Sequence, residues 1–183
     1  MDYIPGRADA PLCLTSDRYI KLHNRLAESN TRGLEMMKGT ASIHLHVLIS
    51  DFDEILPLFN LLCRLSTFDD FKMSEQRRDI WNHTDSSRCG RPPCCFEPLT
   101  SSEMLIKRLI RFALNADVLG ENIAFVDSAD LSFKAFLYHM TTLFTDVRFN
   151  LKGPTLELRT MDSLPMDQFR IRWKKFVNQF ENI

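Results

Sequence analysis

The run from Lys38 to Ile49 constrains this chain more than any other stretch, because its side chains alternate almost without a break. Ala41, Ile43, Leu45, Val47 and Ile49 point one way, while Thr40, Ser42, His44 and His46 point the other. A period of two is the geometry of a strand with one face buried and one face polar. A sheet is therefore expected, and its polar face carries two imidazoles two residues apart.

The other elements can be read around that strand. Asp17 is placed to cap a helix whose Ile20, His23, Leu26 and Ala27 share a face, with Gly33 shortly after its end. Asp51 and Glu54, three apart, resemble a capping box opening a second helix, with Pro57 in its first turns. The Arg-rich stretch from Met73 to Pro93 lacks periodicity and reads mostly as loop. Residues Ser101 to Asn115 read as helix, Asn122 to Val126 as a short strand. A helix beginning near Asp130 aligns Phe133, Phe136, Leu137, Met140 and Phe144. Strands Asp146–Phe149 and Thr155–Thr160 follow, joined by a Lys152-Gly153-Pro154 turn. Pro165 then starts a helix with Phe169, Trp173, Phe176, Val177 and Phe180 on one side. This order predicts one α+β domain over 1–183, an antiparallel sheet with helices on one side. Residues 1–16 form an irregular lead-in, and 166–183 a C-terminal amphipathic helix.

Composition bears on partners and compartment. A net charge of −1 gives no basic surface for nucleic acid or acidic lipid. No apolar run reaches the roughly 18–20 residues that span a bilayer. The first residues lack the basic start and apolar stretch of a signal peptide. Five cysteines without a framework spacing suggest reduced thiols in the cytoplasm.

Chemistry collects on the polar strand faces. His44 and His46 share one face, and Glu157 and Arg159 share another by the same period. Imidazole and carboxylate are metal ligands, and a guanidinium is a phosphate clamp. Spacing alone favours an ordinary solvated strand face and a surface charge pair. The loop adds Arg77, Arg78, Arg88 and Arg91 around Trp81 and Asp85, a set suited to carboxylate or phosphate, or to solvent. Cys89, Cys94 and Cys95 lack the CxxC spacing of a zinc site. His139 reads as a packed or capping histidine.

Three segments together resemble glutamate–cysteine ligases of the plant and bacterial type, including those of ergothioneine pathways. Gly33-Leu34-Glu35-Met36-Met37 followed by Thr40-Ala41-Ser42-Ile43-His44-Leu45-His46 resembles the family's Gly-x-x-Met-Met…Thr-Ala-Ser-Val-Gln-Val-Asn strand. Arg77, Trp81, Asp85, Arg88 and Gly90 resemble its Arg-x-x-x-Trp-x-x-x-Asp-x-x-Arg-x-Gly loop. His139-Met140-Thr141-Thr142-Leu143-Phe144, Val147-Arg148, Leu156-Glu157-Leu158-Arg159 and Asp162 resemble its His-Leu-Thr-Thr-Leu-Phe-Pro-x-Val-Arg…Leu-Glu-x-Arg-x-x-Asp.

The resemblance runs from about residue 18 to 165. It implies a partial glutamine-synthetase-like catalytic domain whose curved antiparallel sheet floors the site. The implied reaction joins glutamate to cysteine through a glutamyl phosphate, with ATP and Mg²⁺ as cofactors. Glu157 would then ligate Mg²⁺, with His44 on metal or phosphate. Arg159 would contact the ATP phosphates and act with Arg148 in catalysis. Arg77, Arg88 and Arg148 would bind substrate carboxylates or the transferred phosphoryl group.

Nothing before Asp17 resembles the family's Glu-x-Glu strand, which supplies further metal ligands. Thr145 stands where the family has Pro. Three expectations follow: a piece of a longer ligase, one half of a split enzyme completed by self-association or a partner chain, or a non-catalytic relative that binds nucleotide or amino acid. A domain docking through its final helix is the alternative from another class.

Overall fold

The computed structural model describes residues 2–28, 32–92, 94–95 and 97–181. Their order is α1 (Asp17–Glu28), α2 (Gly33–Gly39), β1 (Leu45–Leu48), α3 (Ile55–Leu65), α4 (Glu75–Asn82), β2 (Cys89–Gly90), α5 (Ser102–Asn115), a 3-10 turn (Phe125–Asp127), α6 (Phe133–Met140), β3 (Phe144–Thr145), β4 (Val147–Asn150), β5 (Thr155–Leu158) and α7 (Met166–Asn178). The fold mixes helices with a small antiparallel sheet, as expected of an α+β chain.

The main sheet has the order β1-β5-β4, all antiparallel. Leu45 and Val147 both pair with Leu158 across β5, and Val47 and Phe149 both pair with Leu156. Because alternate side chains share a face, these residues form one apolar surface. Leu156, Leu158 and Val147 are fully buried on it, against Phe59 and Leu62 of α3 and Leu105 of α5. Each such aliphatic side chain contributes about 1.5–3 kcal/mol by leaving water. Phe176 of α7 joins the same core and stacks edge-on against Phe71 at 5.9 Å. A second cluster unites Leu22 and Leu26 of α1, Met36 of α2, and Ile80 and Trp81 of α4. These helices face the His44–Arg159 end of the sheet's polar side, so the layering is less one-sided than the expected arrangement.

Several boundaries differ from expectation, each for a physical reason. β1 begins only at Leu45, because Lys38 and Gly39 close α2 and residues 40–42 make isolated bridges to Tyr3 and Asp162. Gly33 opens α2 rather than following α1 as a terminator. A Cβ there would lie 2.8 Å from the Leu26 Cβ, so glycine permits α1 and α2 to meet.

The stretch read as loop contains α4, whose buried side is Arg77, Ile80 and Trp81. An arginine at a core position hides the helical period. Ser74 caps this helix by accepting from the Arg77 amide at 3.3 Å.

Asp51 caps only a turn, accepting from the Asp53 amide, while Glu54 reaches back to the Ser50 amide. Residues Asn122–Val126 form a bridge and the 3-10 turn instead of a strand. In α6 the buried residue is His139, while Phe133 is 74% exposed. In α7 only Phe176 is fully buried, and the helix ends at Asn178. Pro93 and residues 182–183, at the ends of two predicted segments, lie outside the described set.

The expectation of five reduced thiols is also corrected. Cys63 at the end of α3 is bonded to Cys95, with Cα atoms 5.6 Å apart. Cys13, Cys89 and Cys94 are free. Residues 32 apart in sequence meet only through the fold, so spacing could not pair them.

Candidate functional site

The strand register assembles the polar face of the sheet. His46 pairs with Glu157, and Glu157 pairs with Arg148, so one row crosses all three strands. Beyond the end of that pairing the register shifts by one, with the Ile43 amide on the Met161 carbonyl at 3.0 Å and Ser42 bridging Asp162, and His44 and Arg159 line one cavity there. Glu157 is the centre of the cluster. Its Oε2 accepts from Arg148 Nε at 2.9 Å and from Arg159 Nη1 at 3.0 Å. Arg148 Nη1 also donates to the Leu143 carbonyl at 3.0 Å, which fixes the fork against the end of α6.

The electrostatics follow from burial and neighbours. Burial alone would raise the Glu157 carboxyl, but the charge and hydrogen bond of Arg148, and then those of Arg159, hold it below the usual carboxylate range. Burial first, and the Arg148 charge second, push Arg159 down to about 10, so it stays protonated at neutral pH. His44 keeps an exposed edge, yet desolvation of its other side and then the Arg159 charge push it down to about 4. The ring is neutral at pH 7 and can accept or donate one hydrogen bond. It contacts Ser42 Oγ at 3.1 Å, and His46 contacts Thr155 Oγ1 at 3.2 Å.

This pattern predicts a titration. Imidazole resonances of His44 are expected to report a midpoint well under 6.5. Stability is expected to decline as pH falls from about 6.5 towards about 4, because the unfolded chain takes up the His44 proton first. A His44 midpoint at the ordinary value would contradict the desolvation of the ring and, after it, the placement of Arg159 beside it.

Two cavities open beside the cluster. One, of about 450 Å³, is lined by Glu157, Arg148, Arg18, Lys152 and Tyr138 among others. The other, of about 610 Å³, combines His44 and Arg159 with Met36, Met37, Trp81 and Phe144. The Glu157–Arg159 pair connects them. Arg159 Nε is buried without a hydrogen-bond partner. The first cavity holds three cationic side chains against one carboxylate, so its complement is an anion.

The structure does not bring Arg77 and Arg88 to these cavities. Arg77 is fully buried, pairs with Asp162 Oδ1, and donates to the Arg159 carbonyl at 3.0 Å. Arg88 is fully buried too, and all three of its nitrogens are engaged: Nε with Asp85 at 2.8 Å, one terminal nitrogen with Thr142 Oγ1 at 3.1 Å, the other with the Asp117 carbonyl at 2.8 Å. Arg78 forks onto Asp146 at 3.0 and 2.8 Å. Arg77, Arg78 and Arg88 are therefore engaged within the fold, tying the segments around the sheet together. Burial raises Cys89 to about 12 and Cys94 to about 11, so neither is a thiolate at neutral pH.

Arg18 and Lys152 were missed at the sequence level. Lys152 lies in the β4–β5 turn, where its facing depends on the hairpin. Arg18 reaches Thr141, whose carbonyl it bonds at 2.9 Å across the chain.

A Mg²⁺ site does not fit these residues alone. The ion takes several oxygen ligands, whereas Glu157 is the cluster's single carboxylate and one of its oxygens serves both arginines. Among the described residues, no group of three or more His, Cys, Asp or Glu side chains is disposed to hold a metal.

No model of a known protein family matches the chain, and no curated protein matches it.

Proposed function

We propose that this chain is the arginine-bearing part of an ATP-dependent carboxylate–amine ligase of the glutamate–cysteine ligase type. What carries the reading is the row His46–Glu157–Arg148 on one face of an antiparallel sheet, with His44 and Arg159 on the cavity beside it. Those strands are the ones whose sequences resemble the family, and the family's sheet floors its site.

In this reading Arg148 and Arg159 hold phosphate and carboxylate oxygens of ATP and glutamate. Glu157 keeps the two guanidiniums in fixed positions. Glutamyl phosphate formation moves a phosphoryl group from ATP to the side-chain carboxylate, and the amine of cysteine then displaces phosphate. The contribution of these residues is positioning and neutralisation of the charge on the transferring group. The acidic ligands that Mg²⁺ requires come from a second chain or another segment. A cytoplasmic setting belongs to the same proposal, although the Cys63–Cys95 bond pulls against it. No helix among the described residues is long and apolar enough to cross a membrane.

A second reading, a relative that binds nucleotide or amino acid without turnover, draws on Glu157 being held by two arginines. ADP release by the purified chain with MgATP and glutamate, with and without cysteine, tests both. The expected result is saturable ATP binding without steady ADP release, with cysteine-dependent release once a chain carrying a Glu-x-Glu strand is added. Binding with no release after that addition selects the second reading. Failure to bind either ATP or glutamate overturns both. Turnover by this chain alone overturns the statement that the site is half built.

A further inference from the structure

The larger of the two cavities, of about 610 Å³, extends well beyond the residues that the proposed reaction uses. Its size falls within the roughly 300–1,000 Å³ of small-molecule sites. Residues of the lead-in, from Ile4 to Leu14, form one wall, and α1, α2 and α4 supply others through Leu22, Met36 and Trp81. The lead-in is fastened to α2. The Ile4 amide donates to the Gly39 carbonyl at 2.8 Å, and Lys38 Nζ donates to the carbonyls of Ala8 and Ala10 at 2.8 and 2.7 Å. The cavity is therefore preformed.

Two features define what it would hold. The first is an apolar lining that is only partly covered. Met36 and Trp81 belong to the second hydrophobic cluster, whereas Ile4 and Leu14 on the same cavity stay 43% and 51% exposed. A guest with an apolar body would take that surface out of water.

The second feature is charge. Arg7, Lys38 and Arg159 line the cavity, and its described lining contains neither Asp nor Glu. Arg159 is engaged with Glu157, but Arg7 and Lys38 stand apart from that cluster. Lys38 spends two of its donors on carbonyls, which leaves its charge unneutralised. Arg7 is exposed in the same turn of the lead-in, its own carbonyl accepting from the Ala10 amide at 3.0 Å. His44 senses the same sign, because after desolvation it is the Arg159 charge that most disfavours its proton.

We infer that this cavity binds an amphipathic organic anion, its acidic head beside Arg7 and Lys38 and its apolar body against Met36, Met37 and Trp81. The site does not depend on the ligase reading, which rests on Arg148, Glu157 and Arg159. A cationic amphiphile would meet three like charges. A neutral one would cover the apolar walls but gain nothing from Arg7 and Lys38.

The test uses the full chain with ¹³C-labelled methionine methyls and no nucleotide. Decanoate is the probe, with decylamine and decan-1-ol as controls, all kept below micelle-forming concentrations. Decanoate is expected to move the Met36 and Met37 methyl resonances saturably and to bind more tightly than either control. Arg7→Gln, at an exposed position that should not disturb folding, is expected to weaken decanoate about 2–5-fold and leave decan-1-ol unchanged. The inference is overturned if decanoate leaves both methyls unmoved, or if decylamine or decan-1-ol binds as tightly. It is equally overturned if Arg7→Gln fails to set the acid apart from the alcohol. The ligase reading stands or falls separately, on ATP binding and ADP release.

Discussion

Replacing Glu157 by glutamine is expected to destabilise the chain by about 3 kcal/mol, the lower end of what removing one member of a buried charge pair costs. The substitution keeps the shape and removes the charge, leaving Arg148 and Arg159 adjacent and unneutralised. The Arg159 side chain is 8% exposed and that of Arg148 24% exposed, so neither guanidinium can recover its full hydration. For a chain of this size the melting temperature should fall by about 6–12 °C. Inorganic phosphate is expected to restore much of the loss, because an anion that binds only the folded state stabilises by about 2.7 kcal/mol at a hundred times its Kd. Thermal melts of both proteins, with and without phosphate, decide the matter. An unchanged melting temperature would mean the triad is not formed. A loss that phosphate does not mend would mean the face is no anion site. In the native protein the same pairing has an acid limit: the Glu157 contribution is present above about 4.5 and is lost as pH falls through its lower folded value.

The second large effect separates scaffold from site. Arg88→Met is expected to cost about 3–5 kcal/mol while leaving anion affinity unchanged in whatever fraction remains folded. Methionine roughly fills the stem of the arginine but takes the nearer of two cations from Asp85, a side chain 5% exposed. Asp85 would keep Arg25 at 3.2 Å and the Ser87 amide and hydroxyl at 3.0 and 2.7 Å. Thr142 Oγ1 and the Asp117 carbonyl would lose their donor as well. Urea denaturation measures the first quantity, and phosphate titration of the folded fraction the second. A stable Arg88→Met protein with weakened anion binding would return Arg88 to the substrate-binding role that its place in the sequence suggests.

That contrast locates what could be read from the sequence. The polar strand faces were legible because a period of two leaves no choice about which side chains share a face. His44, His46, Glu157 and Arg159 were therefore grouped before any pairing was known, and the pairing of β1 with β5 set the rows in register. Arg148 entered through family resemblance and proved to sit in the same row.

The arginine loop was not legible in the same way. A guanidinium in solvent and one buried on aspartates have the same letter, and the partners lie far off: Asp162 for Arg77, Asp146 for Arg78. Burying Arg77 also removed the apolar rhythm that would have announced α4. In α6 the aromatic stripe suggested a core face, and Phe136 and Met140 do pack against the Ala113–Leu143 cluster, but the fully buried residue is His139 while Phe133 and Leu137 stay exposed. The neighbouring Phe125 turn accounts for that choice by offering the imidazole a stacking surface.

The strand order of the floor also sets when in the life of the chain the site comes into being. β4 and β5 are neighbours through a short turn and can close within microseconds, whereas β1 must find β5 across more than about a hundred residues. Until it does, the edge of β5 that β1 will cover stays open, and His44 and His46 are not yet beside Glu157 and Arg159. Emerging from a ribosome, β1 waits for nearly the whole remaining chain before its partner exists. The floor is thus a late product of folding, and the interval before closure is when an unpaired strand edge leaves this protein most exposed to association with its own copies.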